Sequence, residues 1–224
     1  MTSILRNSTA VVAIVALLTG CSGLSQTQRG AVIGSAAGGA VGAAIGSATG
    51  STSRGAIIGA AVGGVAGAVI GRQMDQQREE LAAELEGAEV ERYGEGLLIT
   101  FDSGLLYDFD SDVVKGAARA NLTDLSVSLR EYPETEVLIV GHTDATGSDS
   151  YNMGLSQRRA DAARSFLVSQ GVASMRIRTE GRGEAEPVAS NDTAAGQSQN
   201  RRVEVAIFAS EEYREEMRRR HGGG

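Results

Sequence analysis

"GHTDATGSDSYNMGLSQRRA", residues 141–160, is the stretch on which the fold turns. It grows out of "VLIVG" (137–141), an unbroken apolar run of strand length. It leads into "LSQRRADAARSFLVSQG" (155–171), where apolar residues return at helical spacing between charged ones. A buried strand, a polar turn and an amphipathic helix are expected in that order. Moving outward, "LLITF" (97–101) reads as another buried strand and "VVKGAARANLTDLSVSLREY" (113–132) as another amphipathic helix. "MRIRTEG" (175–181) and "RRVEVAIF" (201–208) read as later strands. This alternation predicts one globular α+β domain over residues 89–209, long enough to enclose a core.

The rest of the chain differs in kind. The whole chain of 224 residues includes 30 glycines and no tryptophan, which is unusual for a single compact domain, and its formal net charge is -7. No broad basic surface suggests a nucleic-acid partner, so an anionic ligand would need a local cation. Arg6 precedes an apolar run from Ala10 to Leu18 that is too short to span a bilayer, the layout of a secretion signal over residues 1–20. Leu18, Thr19, Gly20 and Cys21 resemble a bacterial lipobox. That resemblance implies cleavage before Cys21, lipidation of its thiol with diacylglyceryl and palmitate, and a lipidated linker over residues 21–29. Cys21 is the only cysteine, so it has no internal disulfide partner, whereas lipidation explains it. Ser22 stands where an aspartate would resemble an inner-membrane retention signal, which favours anchoring at the periplasmic face of the outer membrane.

A glycine ladder follows: Gly30, Gly34, Gly38, Gly42, Gly46 and Gly50, then Gly55, Gly59, Gly63, Gly67 and Gly71, with "RGAVIG" and "RGAIIG" opening the two halves. No charged residue lies between Arg29 and Arg54 or between Arg54 and Arg72, and "GSTSR" breaks the run. Each glycine costs a helix in water about 1 kcal/mol relative to alanine, so the period makes sense where backbones approach closely. At about 1.5 Å per residue the first piece reaches roughly 31 Å and the second roughly 25 Å. The ladder resembles the glycine-zipper segments of bacterial envelope proteins, and a transmembrane helical hairpin is expected over residues 30–72. A charged spacer helix is expected over 73–88 and a charged, solvated tail over 210–224. A flexible linker, or a hairpin packed on itself in water, are the plainer alternatives.

Within the domain, "YDFDSDVV" (107–114), the 141–160 stretch, "GRGEAEPVASN" (181–191) and "NRRVEV" (200–205) occur in one order. Together these blocks resemble the OmpA-like peptidoglycan-binding domain over about residues 95–209, which implies an OmpA-like mixed β-sheet packed with helices. Tyr107 stands where the family often has Phe, and Gln197 where it often has Arg; neither is expected among the main contacts. The resemblance implies peptidoglycan as partner, through the meso-diaminopimelate of its stem peptides. That side chain ends as a zwitterion and so needs one anion and one cation, supplied by Asp144 and Arg159. Asp108, Phe109, Asp110, Thr143, Asn152 and Arg201 are implied to line or support the pocket. A purely structural ion pair between Asp144 and Arg159 is the alternative.

Other chemistries find little support. Asp108, Asp110 and Asp112 mimic the start of a calcium loop, but Val113 and Arg119 occupy the positions that require glycine and glutamate. His142 and His221 are the only histidines; His142 is expected to hold its loop, and no metal or cofactor is expected. No nucleophile elbow or catalytic constellation is legible, so no enzyme is expected. The chain reads as an outer-membrane lipoprotein tethering that membrane to the wall. The second reading has the hairpin assemble copies of the chain into an envelope channel or scaffold that wall binding positions.

Overall fold

The computed structural model describes residues 50–108, 110–116 and 118–221. The signal peptide, Cys21, the linker, the first ladder as far as Gly46, and Phe109 lie outside them. Five strands form one mixed sheet: β1 (Ala88–Tyr93), β2 (Gly96–Asp102), β3 (Thr135–His142), β4 (Ile177–Gly183) and β5 (Arg202–Ala209). Their order is β1-β2-β5-β3-β4, with β3 and β4 parallel and the other pairs antiparallel. Central β5 is buried along its whole length. Edge strand β1 has no apolar run to announce it; its half-buried "AEVERY" is a strand because β2 supplies its hydrogen bonds.

The helices are α1 (Thr52–Gly59), α2 (Gly64–Glu84), α3 (Ser103–Leu106), α4 (Ala118–Glu131), α5 (Asp149–Ser169), α6 (Ala194–Asn200) and α7 (Glu211–His221). Parallel strands need a long crossover, and α5 provides it between β3 and β4. The Ser148 hydroxyl caps α5 by accepting from the Tyr151 N–H at 3.3 Å. The helix lies directly on the sheet: a Cβ at Gly141 would strike the Ser156 backbone, and one at Gly181 would come within 2.6 Å of the Gln157 nitrogen. α4 begins at Ala118 rather than Val113, because Val114 instead bridges to Tyr107 and carries the intervening loop across the end of the sheet. On the α4/α5 face, Leu97, Ile99, Phe101, Leu122, Leu125, Leu129, Val203 and Val205 belong to one core.

The second half of the ladder departs most from expectation. Rather than one helix over residues 55–71, it forms α1 and the start of α2, separated where Gly63 and Gly64 take φ of 73° and 63°. Such angles suit glycine and let the chain reverse around the β1–β2 turn. There the Glu95 carboxylate accepts from the Val62 and Gly63 N–H groups at 2.6 and 2.8 Å. α1 therefore covers one face of the sheet, Ile57 and Ala60 meeting Leu98, Leu138, Val140, Ala206 and Phe208. α2 covers the other, with Ala66, Ile70, Met74 and Leu81 in the main core. It also runs through most of the expected spacer without a break.

Among the described residues no helix is long and apolar enough to cross a membrane, which corrects the transmembrane expectation for residues 55–71. The close approach expected of the ladder does occur, but with a hairpin of the same domain. A Cβ at Gly67 would strike the Glu95 carboxylate and one at Gly71 the Arg92 guanidinium, which pairs with Asp75 at 2.6 Å. The tail is likewise only partly solvated: α7 buries Met217, and the Tyr213 hydroxyl donates to Gln73 Oε1 at 2.8 Å.

Candidate functional site

The end of β3, the start of β5, α3, the first half of α5 and the 107–116 loop converge at one end of the sheet. Asn152 and Arg159 sit two helical turns apart on the buried face of α5. The Arg159 side chain is only 5% exposed, yet among the described residues no carboxylate forms an ion pair with it. Its Nε donates to the Ser111 carbonyl at 2.9 Å, Nη1 to the Ser103 hydroxyl at 3.3 Å and Nη2 to the Asp108 carbonyl at 3.4 Å. The guanidinium lies 5.4 Å from the Tyr107 ring centre, and the Tyr107 hydroxyl donates to the Arg159 carbonyl at 2.6 Å. Tyr107, expected to lie away from the main contacts, therefore seats the cation. Burial lowers the Arg159 pKa, and nearby Arg201 adds to that, against the opposing pull of Tyr107, Asp110 and Asp112.

Asp144 is buried and occupied differently. Its Oδ2 accepts from Arg201 Nη1 at 2.6 Å and its Oδ1 from the Thr146 N–H at 2.9 Å. Burial pushes its pKa up, but those hydrogen bonds and the Arg201 charge outweigh burial and hold the carboxyl below its ordinary range. The expected alternative of a structural Asp144–Arg159 pair is thus absent, and Arg201 takes that place. Asn152 Nδ2 donates to the Asp144 carbonyl at 3.2 Å and to Glu184 Oε2 at 2.6 Å. The Thr143 N–H donates to the Gly183 carbonyl at 2.8 Å, while its buried hydroxyl has no protein partner. The two halves of the site meet through Ser103, whose N–H donates to the Arg201 carbonyl at 2.9 Å while its hydroxyl accepts from Arg159.

Asp108 and Asp110 stand at the rim. Asp108 pairs with Lys115 at 3.5 Å, and Asp110, at a φ of 55°, accepts from the Tyr151 hydroxyl. Asp112 pairs with Arg158 at 3.2 Å, so α5 holds this loop at several points. Glu184 lies inside the quoted "GRGEAEPVASN" block but has no signature of its own there. Ser103 gives no sequence signal at all. His142 points to the α1 face, with neither ring nitrogen hydrogen-bonded and Nε2 3.8 Å from Glu204 Oε2. It does not hold the loop through a hydrogen bond; burial, helped by Arg202, lowers its pKa to about 3.

The mixed sheet with its crossover helix is an OmpA-like fold. Residues 106–201 match the OmpA family, and residues 1–75 match the YMGG-like Gly-zipper. The chain is 45% identical over 121 residues to Probable lipoprotein YiaD of Escherichia coli (strain K12), covering 54% of this chain and 55% of that one. It is 39% identical over 103 residues to the peptidoglycan-associated lipoprotein of Brucella melitensis biotype 1, covering 46% and 61%. The solved structure of the cell wall anchor of the T6SS from Pseudomonas aeruginosa matches with a TM-score of 0.54 at 29% identity, covering 61% of this chain and 97% of that one. The match to YiaD thus spans little more than half of that relative's length.

Proposed function

We propose that this chain binds peptidoglycan, holding the diaminopimelate end of a stem peptide between Arg159 and the Asp144 side of the site, and so tethers the outer membrane to the wall. The observation that carries this reading is Arg159, a buried cation whose protein partners are two carbonyls and a hydroxyl. A buried charge left without a counterion is costly unless a ligand supplies one. A planar carboxylate suits the guanidinium, which offers paired donors. The peptidoglycan-associated relative and the cell-wall-anchor structure support the partner. The lipid on Cys21 and the periplasmic face belong to the same proposal, lipid and wall being two grips that reinforce each other. Oligomerisation through the second ladder is not favoured, since Glu95 and Arg92 already cover Gly67 and Gly71.

The test is co-sedimentation of the full chain with purified sacculi. Arg159→Ala and Asp144→Ala should each weaken binding at least about 30-fold, because the first removes the cation that holds the carboxylate and the second leaves Arg201 without its counterion beside the ammonium. Sacculi built on lysine, which lacks the second carboxylate, should bind poorly. Unchanged binding of both variants would overturn the assignment.

A further inference from the structure

The charges around the site do not divide as the pair Asp144 and Arg159 alone would suggest. Asp144 is already neutralised by Arg201 at 2.6 Å, so that couple presents no net charge to a ligand. Glu184 is different: its carboxylate accepts from the neutral amide of Asn152 at 2.6 Å, and among the described residues it forms no ion pair. Asn152 joins the two acids, donating through one nitrogen to the Asp144 carbonyl and the Glu184 carboxylate. Beside them lies Thr143, 5% exposed, with its hydroxyl unpartnered. Thr143 follows the end of β3 and its N–H donates to the carbonyl of Gly183, the residue before Glu184, at 2.8 Å. A buried hydroxyl without a partner in a polar site indicates a missing hydrogen-bonding group.

We propose that Glu184 supplies the net negative charge of this site and reads the ammonium group of the ligand, with the Asp144 carboxylate and the Thr143 hydroxyl as its neighbours. The proposal rests on the stem-peptide reading above and deepens it. The site then has two poles, Glu184 as an anion without an ion pair beside Asn152 at one end, and Arg159 as a buried cation without an ion-paired carboxylate at the other, where Asp110 and Asp112 act on it only from the rim loop. That arrangement complements a zwitterionic amino-acid terminus. It also explains why Glu184, just after β4, is held against the first turn of α5 by Asn152 while, among the described residues, no arginine or lysine forms an ion pair with it. Glu184 is partly exposed, so the ammonium can reach it without the domain opening.

Glu184→Gln is the variant of choice, because the glutamine carbonyl can still accept from Asn152 and only the charge is removed. The full chain would be titrated in detergent micelles with meso-diaminopimelic acid and with pimelic acid, which keeps both carboxylates and lacks both amines. The parent should prefer diaminopimelic acid. Glu184→Gln should bind it about tenfold more weakly, the usual scale of one charge-assisted contact, while its affinity for pimelic acid stays unchanged. Arg159→Ala should weaken both ligands. An equal fall for both ligands in Glu184→Gln would show that the residue acts only by positioning Asn152, and parent-like binding of diaminopimelic acid would show no role; either overturns the proposal. If Asp144→Ala and Arg159→Ala also bind sacculi normally, the stem-peptide reading itself has failed; if they lose binding while Glu184→Gln keeps its preference, only the present inference has.

Discussion

The two faces of the sheet are closed by different means. On one, α2, α4 and α5 bring Ile70, Leu81, Leu122, Leu125 and Leu129 into a core with Leu97, Ile99, Phe101, Val203 and Val205. On the other, the eight residues of α1 place Ile57 and Ala60 over a short apolar patch, and the same face also buries His142, Arg202 and Glu204. Apolar area stabilises closure roughly in proportion to its extent, whereas buried groups such as the unpaired His142 nitrogens oppose it. One face is therefore integral to the fold and the other carries a lid. The difference teaches that a glycine-spaced segment can be captured by a domain through very few side chains.

The comparison predicts its largest effect on the integral face. Leu125→Ala, which opens a cavity beneath two helices, should cost about 3–5 kcal/mol in urea unfolding, against about 2 kcal/mol for Ile57→Ala, whose site can collapse as α1 shifts. Equal costs would mean the faces are equivalent. Hydrogen exchange adds a second reading, with the α1 amides opening well before those of β5.

Acid should act through the lid face. His142 has a folded pKa of about 3, below its ordinary value of about 6.5, so between these values the unfolded chain holds a proton that the folded chain does not. Stability is therefore present above about pH 6.5 and lost as pH falls toward 3. From pH 7 to pH 5 that loss is about 2 kcal/mol. Arg202, Glu204 and Arg182 are the charged groups acting on this ring. In His142→Gln the loss over this interval should largely vanish; an unaltered pH slope would assign the acid sensitivity elsewhere.

The smallest effect concerns the lid's polar latch. Thr52 donates its N–H and hydroxyl to the Glu186 carboxylate at 3.0 and 2.5 Å. Thr52→Val keeps the first bond and loses the second, which should destabilise by about 1 kcal/mol and raise exchange in α1 alone. Global loosening would show that the lid is not a separate unit.

Local sequence was sufficient for β2, β3, β5 and α5, because each has an apolar run or helical spacing that no other element type would satisfy. It was insufficient for β1, whose polar residues become a strand only through pairing with β2. The site was legible as a set of residue types at fixed places, Asp144, Asn152 and Arg159 among them. Its electrostatics were not. Asp144 and Arg201 are 57 positions apart, and nothing local to either says that they meet.

The sequence by itself determined that the domain would be a helix-packed sheet with an acid at a strand end and an arginine on the following helix, since those features follow from short-range periodicity and motif order. Tertiary structure alone decided that Arg201 pairs with Asp144, that Glu184 meets the Asn152 amide and Arg159 two carbonyls and a hydroxyl, and that Gly67 and Gly71 receive Glu95 and Arg92. The physical reason is common to all three. A glycine groove or a charged side chain specifies the kind of partner it accepts, but which partner arrives depends on distances that only the folded chain sets.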